Sequence, residues 1–97
     1  MELKEIMKKI NEFYGEIDKK SGPIFLLSVL MEEVGELSKA IRRKENIGEE
    51  ISDVLLILLS LSNYFEIDVE KILMEKYLMD PKKIISKWND LPSWVCE

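Results

Sequence analysis

The sequence predicts an all-α domain: a small antiparallel helical bundle of four main helices plus a short C-terminal helix, completed by oligomerisation. Three observations carry this prediction. Ile, Leu, Lys and Glu dominate, Thr and Gln are absent, and four glycines and three prolines are too few for a fold of many strands and turns. Apolar residues return at three-and-four spacing along most of the chain. The breaks between those runs are short, so successive helices should pack antiparallel. At 97 residues and 11.4 kDa there is room for one core, hence a single domain over 1–97.

Leu3, Ile6, Met7, Ile10, Phe13, Tyr14 and Ile17 form the first stripe and predict a helix of about 18 residues. Lys20-Ser21-Gly22-Pro23 interrupts it, and Pro23 suits the first turn of a second helix reaching about Arg43. Lys39, Arg42 and Arg43 complement the negative end of that helix. A link around Lys44 to Ile47 leads to a third helix, about Gly48 to Phe65, with Glu49 and Glu50 in its first turn. Asp68 reads as the N-cap of a fourth helix, about Val69 to Met79. Asp80-Pro81 repeats the cap-and-proline start for a last helix ending near Trp88, and the tail beyond it reads as irregular, packed by its two tryptophans.

Within the third helix, Val54-Leu55-Leu56-Ile57-Leu58-Leu59 is apolar on every side. A helix of a small monomer should instead show water a polar face. Either its own neighbours surround it, or a second subunit closes one face across a twofold axis, and the second reading is favoured.

Composition also excludes function classes. Fourteen Lys and Arg against 19 Asp and Glu leave a net charge of −5, which argues against a nucleic-acid partner. With no histidine, the common general base, the Ser-His-Asp and Cys-His pairs and His-ligated metals are all removed. The single cysteine, Cys96, offers neither an internal disulfide nor a thiolate cluster and fits a reducing cytoplasm. No stretch is long enough to cross a membrane, and Met1-Glu2-Leu3-Lys4-Glu5 lacks the apolar segment of a signal peptide. The expected setting is therefore the cytoplasm, with carboxylates, lysines and hydroxyls as the available chemistry.

Two carboxylate pairs stand out: Glu33 with Glu36, and Glu50 with Asp53, each at i,i+3 on one helix face. Spacing alone says little, because Glu2 and Glu5 repeat it. Position on the wheel says more. Leu26, Val29, Leu30, Leu37 and Ala40 surround Glu33 at the neighbouring turns, so it lies within the apolar stripe; Glu36 lies at its edge, with Glu32 a turn before. Glu50 and Asp53 precede Val54, Leu56 and Ile57, where burial should be heaviest. An unpaired buried carboxylate costs several kcal/mol against a fold stability of about 5–15 kcal/mol. Lys or Arg from other helices, shared protons, or a divalent cation could neutralise such a group. The cation is favoured, because no cationic residue lies at i±3 or i±4 from Glu33 and an all-oxygen set suits Mg²⁺, with Mn²⁺ possible.

Leu30-Met31-Glu32-Glu33-Val34-Gly35-Glu36-Leu37, then Glu49-Glu50-Ile51-Ser52-Asp53-Val54-Leu55 after a 13-residue spacer from Glu36 to Glu50, resembles the MazG-like nucleotide pyrophosphohydrolases. The resemblance covers about Leu3 to Tyr77. It implies an all-α homodimer or homotetramer that hydrolyses (deoxy)nucleoside triphosphates to monophosphate and pyrophosphate with Mg²⁺. It puts Glu33, Glu36, Glu50 and Asp53 in the metal-ligand places and Glu32 in that of the extra glutamate, so Glu32 or Glu33 is the expected proton acceptor. Lys76 takes the place of a phosphate-binding lysine, although Asp80 stands where Asn is expected and no clear Arg follows, leaving Lys82 or Lys83 as substitutes. Two alternatives stand beside this reading: a phosphoribosyl-ATP pyrophosphohydrolase, and a non-catalytic helical oligomer with a structural acidic cluster.

Other residues admit two readings each. Gly35 costs its helix about 1 kcal/mol relative to Ala and either permits close approach beside the glutamates or serves helix packing. Phe13, Tyr14, Phe25 and Trp88 are expected in the core rather than stacked on a base. Ser60, on the line of Asp53 and Ile57, is either a hydroxyl supporting the site or a plain helix contact.

Overall fold

The structure is a computed structural model that describes residues 1–88. The described residues are all-α, as the composition and periodicity predict. They divide into two compact units, Met1–Ile67 and the part of Asp68–Glu97 up to Trp88. Among the described residues no helix is long and apolar enough to cross a membrane. The tail from Asn89 onward, with Trp94 and Cys96, lies outside them.

In the first unit, helix α1 spans Leu3–Ser21, α2 Pro23–Arg43 and α3 Ile47–Tyr64. Gly22 alone separates α1 from α2. Its φ of 84° is in the region that only glycine enters cheaply, and its N–H donates to the Asp18 carbonyl at 2.9 Å to close α1. Pro23 then opens α2 at the position where a missing N–H costs nothing. Lys44 ends α2 with φ 56°, and Asn46, with φ 57°, begins α3, so two left-handed residues turn the chain within a three-residue link.

α3 packs against both α2 and α1, and the Asn63 side chain donates to the Met7 carbonyl at 2.9 Å, tying α3 to α1. The buried residues are few: Met7 from α1, Leu26 and Ala40 from α2, and Leu59 and Ser60 from α3. Ser60 is buried and lines a small cavity with Asn11 and Gly15 of α1, which places it at the α1–α3 contact. The aromatic residues expected in the core are on the surface: Phe13 is 80% exposed, and Tyr14, Phe25 and Trp88 are also exposed. α1 offers α3 a narrow line centred on Met7, so the outer part of its stripe, Phe13 and Ile17 included, finds no helix to cover it.

The all-apolar run of α3 is not fully enclosed. Leu59 is buried and Val54, Leu56 and Ile57 are half-buried, while Leu55 and Leu58 are 48% and 43% exposed. α2 shows the same two-faced character. Its inward stripe holds Leu26 and Ala40, and a second stripe of Ile24, Leu27, Met31, Val34 and Ile41 faces solvent.

In the second unit, Asp68 caps helix α4, Val69–Leu73, by accepting from the Lys71 N–H at 3.1 Å. The helix does not continue as α to Met79: Met74–Leu78 is a π-helical turn. Helix α5, Pro81–Trp88, begins as expected, with the Asp80 carboxylate accepting from the Lys83 N–H at 3.3 Å.

Candidate metal centre

Glu33 comes to the site from the middle of α2, held among inward neighbours of which Leu26 and Ala40 are buried and Val29, Leu30 and Leu37 half-buried. Glu50 and Asp53 come from the first turns of α3. The α2–α3 pairing is antiparallel: Glu33 meets Glu50 and Asp53, while Arg43 shares a cavity with Asn46 nearer the link. That register brings two i,i+3 motifs, separate in sequence, onto one seam.

Glu33, Glu50 and Asp53 are all half-buried, and each offers an oxygen within 4.8 Å of the others. Among the described residues, no lysine or arginine pairs with any of the three. Neutralisation by a salt bridge is therefore not how this unit accommodates them. The consequence is visible at Glu50, whose carboxyl is pushed above its usual range. Partial burial is the largest cause, followed by the charges of Asp53, Glu33, Glu36 and Glu49. Each destabilises a further negative charge at that point.

The donor set fits a hard divalent cation. All three donors are carboxylate oxygens, carried on two helices, and Mg²⁺ or Mn²⁺ prefers such oxygens. Oxygens on opposite sides of Mg²⁺ lie about 4.2 Å apart at the usual bond length, so a cluster spanning no more than 4.8 Å needs only side-chain adjustment to close on an ion.

Two carboxylates expected at the site stand apart from this cluster. Glu36 is exposed and not among the three gathered carboxylates, although its charge acts on Glu50. Glu32 is exposed on the turn before it. Lys76 belongs to the second unit, in the π-helical turn, with its Nζ 5.2 Å from the centre of the Tyr77 ring. Gly35 makes no close approach, since a Cβ there would meet nothing within 4 Å. What the sequence reading missed is a cavity on the link side of the cluster, lined by Lys39, Arg43 and Asn46 together with Glu36 and Glu50. Its signal was Glu36, Lys39 and Arg43 at three- and four-residue spacing.

No curated protein and no solved structure matches the chain. The family model of the MazG nucleotide pyrophosphohydrolase domain matches residues 21–81, which takes in both acidic motifs and the helices that join them. With that match over more than half of its length, and with the two motifs folded onto one seam, the chain belongs to the MazG nucleotide pyrophosphohydrolase family.

Proposed function

We propose that this protein hydrolyses (deoxy)nucleoside triphosphates to the monophosphate and pyrophosphate in a Mg²⁺-dependent reaction, in the cytoplasm. The observation that carries the reading is the meeting of Glu33, Glu50 and Asp53 across α2 and α3 with no cationic side chain among the described residues paired to them. These three would hold the cation, with Glu36 joining from the neighbouring turn of α2. A bound Mg²⁺ supplies positive charge to draw in the triphosphate and to stabilise the negative charge of the transition state.

The protein's own part is positioning and proton transfer. One water adds across the bridge between the first and second phosphates, that P–O bond breaks, and the monophosphate and pyrophosphate separate with release of one proton. Glu32 or Glu33 accepts that proton. Half-burial of Glu33 limits bulk water around it, while Glu32, exposed one residue earlier, can pass the proton to solvent. Lys76 supplies a cation to the phosphates, in keeping with the family resemblance.

Partial closure by a second copy belongs to the same reading. The exposed stripe of α2 recurs at 24, 27, 31, 34 and 41, and α3 exposes Ile51, Leu55 and Leu58 at four-three spacing, with Phe65 exposed at its C-cap. These are seam spacings of a helical bundle, and two α2–α3 hairpins across a twofold axis would cover them.

The test is turnover on the eight common ribo- and deoxynucleoside triphosphates and on phosphoribosyl-ATP, with and without Mg²⁺, distinguishing pyrophosphate from phosphate. Metal-dependent pyrophosphate release that is lost in Asp53→Asn is expected. A fully active Asp53→Asn variant would remove the metal assignment. Activity on phosphoribosyl-ATP alone would move the protein to that reaction, and inactivity with no Mg²⁺-induced thermal shift would make the cluster structural.

A further inference from the structure

Beyond the three gathered carboxylates, toward the α2–α3 link, the helices open into a cavity of about 180 Å³. Lys39, Arg43 and Asn46 line it together with Glu36 and Glu50, over the small side chain of Ala40, which is 6% exposed. Glu50 belongs both to this cavity and to the carboxylate cluster, so whatever occupies the cavity touches the rim of the metal centre. Lys39 and Arg43 lie four residues apart on α2 and are neighbours on its surface. Neither makes an ion pair among the described residues, although Glu36, Glu45 and Glu50 line the same space.

Charge and size decide what fits. A bare cation would be repelled by Lys39 and Arg43, and a bare anion by Glu36, Glu45 and Glu50, which share the lining with them. An anion that travels with a divalent cation satisfies both sets of charges: its metal faces the carboxylates, and its oxygens face the guanidinium and the ammonium. Arg presents a planar fork of donors that matches phosphate oxygens, and Lys adds a compact charge. A cavity of 180 Å³ is smaller than the roughly 300–1,000 Å³ that holds a whole ligand of nucleotide size. It therefore suits the phosphate end and leaves the base and sugar outside.

We infer that this cavity binds the two terminal phosphates of the triphosphate, the part that departs as pyrophosphate, through Arg43 and Lys39 with the Asn46 amide at the rim. The inference rests on the proposed reaction and assigns an end-on orientation: pyrophosphate toward the α2–α3 link, nucleoside away from it. Neither cation was marked as functional by the sequence, where both read as complements to the helix dipole.

Calorimetric titration of inorganic pyrophosphate in Mg²⁺ tests this, using the wild-type protein, the Lys39→Met/Arg43→Met double variant, Arg43→Lys and Lys76→Met, beside wild-type turnover and Mn²⁺ affinity. The expected result is a Kd for pyrophosphate raised at least about tenfold in the double variant, with Arg43→Lys in between. Mn²⁺ affinity should not fall, and the helical circular dichroism should be unchanged. The inference is overturned if wild type does not bind pyrophosphate, or if the double variant binds it as tightly as wild type does. It is overturned equally if pyrophosphate and Mn²⁺ affinity fall together, or if only Lys76→Met weakens binding. Pyrophosphate binding that depends on Arg43 without any wild-type turnover would sink the enzymatic reading and leave the subsite. Turnover with unaltered pyrophosphate binding in the double variant would do the reverse.

Discussion

Glu50 is where the electrostatics of the molecule can be read one residue at a time. Its carboxyl is raised by partial burial first and then by Asp53, Glu33, Glu36 and Glu49. Raising a folded-state pKa means that the native state prefers the protonated form. The associated stability is present below the ordinary value of 4.5 and is lost as pH rises through the raised one. Without metal, Glu50→Gln should therefore melt higher than wild type at pH 7, and the gap should close as pH falls toward 4.5. Added Mg²⁺ should reverse the order, because a ligand that binds only the native state stabilises wild type by mass action while the variant lacks one ligand. Thermal melts at several pH values, with and without Mg²⁺, check both signs. A variant that melts below wild type at pH 7 without metal would show that Glu50 has a stabilising partner. The sequence identified Glu33, Glu50 and Asp53 because each sits beside apolar neighbours. It could not separate Glu36 from them, since i,i+3 spacing puts two residues on one face without saying which of them the opposite helix reaches.

At the scale of elements, capping chemistry and periodicity made most of the helices legible. α2 begins at Pro23 and ends at Arg43, as read from the sequence, and the expected caps Asp68 and Asp80 both accept backbone N–H bonds. The π-helical turn at Met74–Leu78 was not legible. Leu73 before it and Met74 at its start keep α-helical angles, with φ −59° and −63°, so the shift from four- to five-residue hydrogen bonding comes without a break in the helix. Gly35 offers an element-scale test. It lies inside α2, is exposed, and a Cβ there would touch nothing within 4 Å. Gly35→Ala should stabilise the protein by about 0.5–1 kcal/mol through helix propensity, a rise of several degrees in Tm. A loss of stability would mean that another surface approaches this turn of α2.

For the whole molecule, the deciding observation is how little apolar surface the first unit buries by itself. Met7, Leu26, Ala40 and Leu59 are its buried apolar residues, while Leu27, Val34, Ile51, Leu55 and Leu58 are exposed. If two α2–α3 hairpins close on one another, light scattering after size exclusion should return a multiple of 11.4 kDa. Leu27→Glu and Leu58→Glu should each shift the mass toward a single chain and lower Tm, since burying an unpaired carboxylate in an apolar seam costs several kcal/mol. A wild-type mass of one chain would overturn the oligomeric reading and leave the metal centre untouched, because all three gathered carboxylates come from one copy.

The sequence by itself determined the all-α class, most helix limits, and the two acidic motifs that mark the family, because helix periodicity, caps and motif spacing are local properties. Tertiary structure decided which carboxylates meet, that no Lys or Arg among the described residues pairs with them, that the aromatic residues of α1 stay outside, and that Lys39 and Arg43 share a cavity with Glu50. Each of these depends on the register of α3 against α2 and on how much of α1 reaches α3. Register is set by side chains distant in sequence packing across a seam, and no local pattern along one helix contains the identity of the residue opposite.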